Sequence, residues 1–186
     1  MQFSTLIATA LLAAAGVQSH ATFVSSHDSR TPVLATDIPQ QYINDNSDVV
    51  RLPPNNNPIT DVTSSDLACN VNGGVPKSSK LSVAAGSTVT LEWHHGGRDT
   101  QAIDPSHKGP ISTYLAKVDD ATKATNPASL NWFKIYEDGM TGTGSSAVWA
   151  VDKLVAAKGL YQSKIPSSIP SGYVPSPFPF VLLCSF

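Results

Sequence analysis

The sequence predicts an all-β fold, a β-sandwich with long loops, and three observations carry that expectation. Val89, Leu91 and Trp93 alternate with Thr88, Thr90 and Glu92, which gives one apolar and one polar face at the two-residue period of a strand. Further short runs with strand composition recur downstream, each separated from the next by a turn. Only 14% of the 186 residues are charged, while 14 prolines and 12 glycines supply many chain reversals.

Taken in order, the chain opens with "MQFSTLIATALLAAAGVQS". Its apolar run from Leu6 to Val17 is too short to span a bilayer and suits the apolar stretch of a secretory signal. No Lys or Arg precedes that run, so its only positive charge is the amino terminus. The small residues Val17 and Ser19 predict cleavage after Ser19, which makes residues 1–19 the signal and His20 the first mature residue. A competing cut after Ala21 would remove His20. Cleavage after Ser19 leaves 167 residues, enough for one domain with a core.

"RLPPNNNPIT" reads as loop, because Pro and Asn oppose both helix and strand. Ala85-Gly86 breaks the chain before "STVTLEWHH", and "ISTYLAKV" and "NWFKIYEDG" read as the next strands. In the latter, Phe133 and Ile135 are expected on one face, with a turn at Asp138-Gly139. "AVDKLVAAKG" predicts a short helix with Val151, Leu154 and Val155 on one side and Gly159 at its end. "YQSKIPSSIPSGYV" predicts a strand, a Pro-rich turn and the start of another strand. The closing "PSPFPFVLLCSF" breaks this rhythm, although a terminal strand could begin at Phe180.

A net charge of −2 provides no basic footprint for nucleic acid and no polybasic patch for a membrane surface. No apolar run after the first is long enough for a membrane helix, and a monomer is expected. Cys69 and Cys184 could pair in an oxidising compartment, but spacing alone does not establish the geometry.

A terminal His20 could chelate a metal through its α-amine and Nδ1. That nitrogen-rich set suits Cu(II) better than Mg or Ca, which prefer oxygen. Both groups must be unprotonated, and reference pKa values of about 7.7–8.0 for the amine and about 6.5 for the ring make that accessible near neutrality. His107 in "DPSHKGPISTYLA" is the candidate partner, since it lies in a Pro/Gly loop just before a strand. His94 and His95 are further possible ligands without a recognised metal spacing, and His27 has no supporting pattern. A glycosidase would need two carboxylates across one bond. Asp99, Asp104, Glu137 and Asp138 are available, but turns and solvated loop ends account for them. No nucleophile elbow, P-loop or dinucleotide fingerprint is present. Trp93, Trp132, Trp149, Tyr114 and Tyr136 read as core aromatics, leaving Tyr42 and Tyr161 as the exposed candidates for stacking on a sugar.

Together, the cleavage-exposed His20, "RLPPNNNPITDVTSSDLACN", "VAAGSTVTLEWHH", "SHKGPISTYLA", "WFKIYEDG" and "WAVDKLVAAKGLYQSKIPSSIPSGYV" resemble the fungal lytic polysaccharide monooxygenases. The resemblance is to the cellulose-active auxiliary-activity family once classed with glycoside hydrolases. It implies an immunoglobulin/fibronectin-like β-sandwich with one copper per chain. His20 matches the family's terminal ligand and His107 the histidine of its S-H-x-G-P motif, and both would be catalytic. It also implies an external electron donor, dioxygen or hydrogen peroxide, and removal of hydrogen at C1 or C4 of cellulose or a related β-glucan.

The match departs after "SGYV". The family continues through a strand with a further His, then a Q-x-Y segment and a cysteine, and none of these follows. The expected organisation is therefore a core at 20–174, incomplete at its C-terminus, and a non-family tail at 175–186. Gly172-Tyr173-Val174 back-translates to a string that can contain GTAYGT, which predicts reading into an unspliced intron. The alternative to an active enzyme is a weakly active or inactive copper- or polysaccharide-binding derivative of the same fold.

Overall fold

The computed structural model describes residues 22–28, 51, 53–54, 57–80, 83–95, 100–169 and 180–185. Two three-stranded antiparallel sheets form a β-sandwich. The first has the order β1 (Thr22–Asp28), β2 (Thr88–His94), β7 (Leu160–Lys164). The second has the order β4 (Trp132–Asp138), β3 (Ile111–Val118), β8 (Phe180–Ser185). A small hairpin of β5 (Met140–Thr141) and β6 (Val148–Trp149) leads into the one α-helix among the described residues, α1 (Ala150–Ala156). No helix among the described residues is long and apolar enough to cross a membrane.

The alternation in β2 has the expected effect: Val89 and Leu91 are buried, and Trp93 packs partly on the same core. They meet Ile111 and Leu115 from β3, Tyr161 from β7, and Ala150, Val151 and Leu154 from α1. Burying a side chain of that size stabilises the fold by about 1.5–3 kcal/mol. One hydrogen bond also crosses the interior. The Thr113 and Tyr161 hydroxyls lie 3.1 Å apart, so β3 of one sheet is tied to β7 of the other. Tyr161 is therefore a core residue, 9% exposed, rather than the exposed stacking residue expected from the sequence. Tyr42 lies outside the described residues.

Strand β4 corrects a second expectation. Thr113 pairs with Tyr136 and Tyr114 with Lys134, leaving Ile135 as the extra residue of a bulge. A bulge breaks the two-residue alternation. Ile135 and Tyr136 consequently both pack on the core, while Phe133 stays 43% exposed.

Helix α1 ends as the sequence predicts. Lys158 and Gly159 have φ of 53° and 87°, and the Gly159 N–H donates to the Leu154 carbonyl at 2.9 Å. The Gly159 carbonyl then accepts from the Trp93 N–H at 2.9 Å, passing the chain directly to the β2 edge. A Cβ at position 159 would lie 2.2 Å from the Trp93 carbonyl oxygen, so only glycine fits.

At the other edge of β3, Phe180–Ser185 pairs in register from Val118↔Phe180 to Thr113↔Ser185. The terminal run thus supplies a strand, and β3 is a central strand with both edges paired. The strand start expected near Gly172–Val174 lies outside the described residues, as does the signal segment.

Candidate metal centre

The loop from Thr100 to Pro110 enters β3 of the second sheet, and it carries His107. Asp104 organises the loop. Its Oδ1 accepts the Ser106 N–H at 2.8 Å, and its carbonyl accepts the His107 N–H at 3.0 Å. The Asp104 carboxyl is held below its usual range mainly by the Ser106 backbone and side-chain hydrogen bonds.

The same carbonyl lies 3.2 Å from Nδ1 of His107. A carbonyl oxygen can only accept, so Nδ1 carries the ring proton and Nε2 of the neutral imidazole carries the lone pair. Nε2 is buried and has no hydrogen-bond partner. Leaving such an acceptor unsatisfied costs about 1–3 kcal/mol. A transition metal that takes imidazole nitrogen would satisfy it, so this side chain fits a copper ligand.

The far side of the loop is held by α1. Lys108 Nζ donates to Oδ1 of Asp152, while Oδ2 of the same carboxylate accepts the Trp149 N–H at 2.8 Å. Those contacts keep the Asp152 carboxyl below its usual range, the Lys108 bond contributing most. The Val151 N–H also points to the Gly109 carbonyl at 3.4 Å. The helix start itself is fixed, because the Ala150 N–H donates to the Gly139 carbonyl at 2.9 Å and Ala150 is buried. No sequence pattern marks Lys108 and Asp152 as parts of this site. Asp three residues after Trp149 is a helix-start pattern, but nothing in the spacing points to a residue 44 positions earlier.

The other histidines separate cleanly. His94 is 4% exposed, with Nδ1 2.9 Å from the Thr100 carbonyl and Nε2 3.1 Å from Oε1 of Glu92. Both ring nitrogens are engaged, so His94 pins the start of the loop. His95 is exposed, and its N–H donates to the Gln101 carbonyl at 2.8 Å. Thr22 pairs with His94, whereas His27 pairs with Thr90 far down β1, about 16 Å away at the usual strand rise. His20 lies outside the described residues, two positions before Thr22. Among the described residues, no group of three or more His, Cys, Asp or Glu side chains is arranged to hold a metal.

The candidate glycosidase carboxylates are engaged elsewhere. Asp138 accepts Lys153 at 2.8 and 2.9 Å, and Glu137 accepts Lys134 at 2.6 Å. Asp99 lies outside the described residues.

Fold and loop define a class: a two-sheet β-sandwich that presents one half-buried loop imidazole with a free acceptor nitrogen. The chain matches Auxiliary Activity family 9 (formerly GH61) over residues 20–174, and it belongs to that family. It is 41% identical over 174 residues to "AA9 family lytic polysaccharide monooxygenase B" of Emericella nidulans, a match covering 92% of this chain and 44% of that protein. It is also 41% identical over 176 residues to "AA9 family lytic polysaccharide monooxygenase D" of Malbranchea cinnamomea, covering 92% and 67%. Among solved structures, "CvAA9A" superimposes with a TM-score of 0.65 at 36% identity, covering 82% of this chain and 62% of that one. The chain thus spans less than half the length of the first of these relatives and about two thirds of the second.

Proposed function

We propose that this chain is the core of a secreted, copper-dependent lytic polysaccharide monooxygenase. Its substrate is cellulose or a related β-1,4-glucan, attacked at C1 and/or C4, and it works as a monomer with an external electron donor and dioxygen or hydrogen peroxide. One observation carries the reading: His107 presents a buried, lone-pair-bearing Nε2 with no partner, while Nδ1 is tied to the Asp104 carbonyl. Membership of the family and the printed names of the relatives support the reaction class.

Bound copper would supply redox chemistry, coupling an electron from the donor and an oxidant to removal of hydrogen from the sugar ring, after which the chain breaks by elimination. The protein's part is to present nitrogen ligands and hold them still. His107 offers Nε2 in the tautomer that a metal requires. His20, freed by cleavage after Ser19, would add its α-amine and imidazole.

The test is product analysis on cellulose by mass spectrometry, with and without reductant. Oxidised chain ends that require the reductant are expected. Reductant-independent reducing ends would indicate a hydrolase, and copper binding without products would indicate the non-enzymatic derivative. Either outcome would overturn the proposal.

A further inference from the structure

We infer that Asp152 is a positioning residue for His107, acting through Lys108. The inference rests on the copper reading above. His107 is fixed on its N-terminal side by the Asp104 turn, but that turn constrains only backbone and Nδ1. On the C-terminal side the two following residues are both anchored to α1, Lys108 by the Asp152 carboxylate and Gly109 by the Val151 N–H.

Asp152 is well placed for this task because its two oxygens hold two different elements. Oδ1 takes the loop through Lys108, and Oδ2 takes the helix start through the Trp149 N–H at 2.8 Å. The helix start is in turn set into the core by buried Ala150, Val151 and Leu154. A continuous chain of contacts therefore runs from the core through Asp152 and Lys108 to the residue beside His107. The pair is part-exposed, with side chains 46% and 26% accessible, and a pair of that kind adds little stability. Its effect is expected in the geometry of the neighbouring ligand instead. Contacts that orient a metal-binding histidine typically change affinity by about 10–100-fold when removed.

The experiment uses the secreted chain carrying Asp152→Asn, Lys108→Met, or both. Asn can still accept from the Trp149 N–H, so Asp152→Asn removes the ion pair without removing the helix contact. Lys108→Met leaves Asp152 on the helix and guards against a folding defect in the first variant. Lys153→Met, which breaks the adjacent contact to Asp138, serves as the control for general loosening of α1. Three quantities are measured: Cu(II) affinity by calorimetry, the Cu(II) hyperfine splitting by paramagnetic resonance, and backbone 15N relaxation at residues 104–109 in the copper-free chain.

Each single variant should lose about 10-fold in affinity, shift the hyperfine splitting, and loosen the copper-free loop. The double variant should be no worse than either single one, because both remove the same contact. Lys153→Met should change none of the three. Unchanged affinity and splitting in both single variants would overturn the inference even if the loop loosened. Equal losses in Lys153→Met would overturn it as well, by reducing the effect to helix stability. An unmodified chain that binds no copper would overturn the copper reading first, and this role with it.

Discussion

The His107 ring is held by the carbonyl oxygen of Asp104, 3.2 Å from Nδ1, and that single contact decides which ring nitrogen is free to bind a metal. The Asp104 side chain stabilises the turn that aims the carbonyl, through Ser106 at 2.8 Å. Asp104→Ala should therefore weaken Cu(II) binding by about 10-fold, as loss of an orienting contact does. Asp104→Asn keeps an acceptor for the Ser106 N–H and should lose less. Calorimetric titration of the two variants checks the order.

Thr113 and Tyr161 should behave as a coupled pair. Tyr161→Phe strands the Thr113 hydroxyl in the core. It should cost about 1–3 kcal/mol, whereas adding Thr113→Val should recover much of that loss because the stranded hydroxyl is gone. Urea unfolding of the parent, both single variants and the double variant gives the coupling energy.

Gly159→Ala should be among the most damaging single-atom changes to the fold. The position combines φ of 87° with a Cβ site 2.2 Å from the Trp93 carbonyl oxygen. Backbone strain and overpacking together should cost about 2–6 kcal/mol. The same urea assay measures it.

Acid should destabilise the protein through its turn carboxylates. Asp120 and Asp61 are held below their usual range mainly by side-chain and then backbone hydrogen bonds from Thr122 and Thr63, and Glu137 by Lys134. A carboxyl depressed by folding stabilises the fold fully above its unfolded pKa, about 3.9 for Asp, and loses that contribution as pH falls through the lower folded value. Melting temperature should thus fall as pH drops from about 5 toward 2, and Asp120→Ala should flatten that fall. An unchanged slope in the variant would remove Asp120 from the account.

Much of the fold is legible in the sequence where one local pattern decides. The alternation across Thr88–Trp93 marks β2, and the spacing of Val151 and Leu154 with Gly159 marks α1 and its end. Ile135 fails that test, since a bulge depends on how two strands pair rather than on either alone. Tyr161 fails for a related reason: its ring and hydroxyl are satisfied by Tyr136 and Thr113 from the opposite sheet. "SHKGP" marks His107 as a candidate ligand, but the acceptor state of its Nε2 depends on the Asp104 carbonyl in space. Asp152 could not be found from spacing, because its partner Lys108 is joined to it only by the fold.

In the proposed function, His20 and His107 together hold one copper ion. The direct measurement is a Cu(II) titration by calorimetry of the chain beginning at His20, compared with His107→Ala and His27→Ala. One copper per chain is predicted for the parent and for His27→Ala, with affinity falling as pH drops because protons compete for the same lone pairs. His107→Ala should lose most of that affinity. Equal binding by His107→Ala, or a mature chain that begins at Thr22, would rule out a site built from these two histidines.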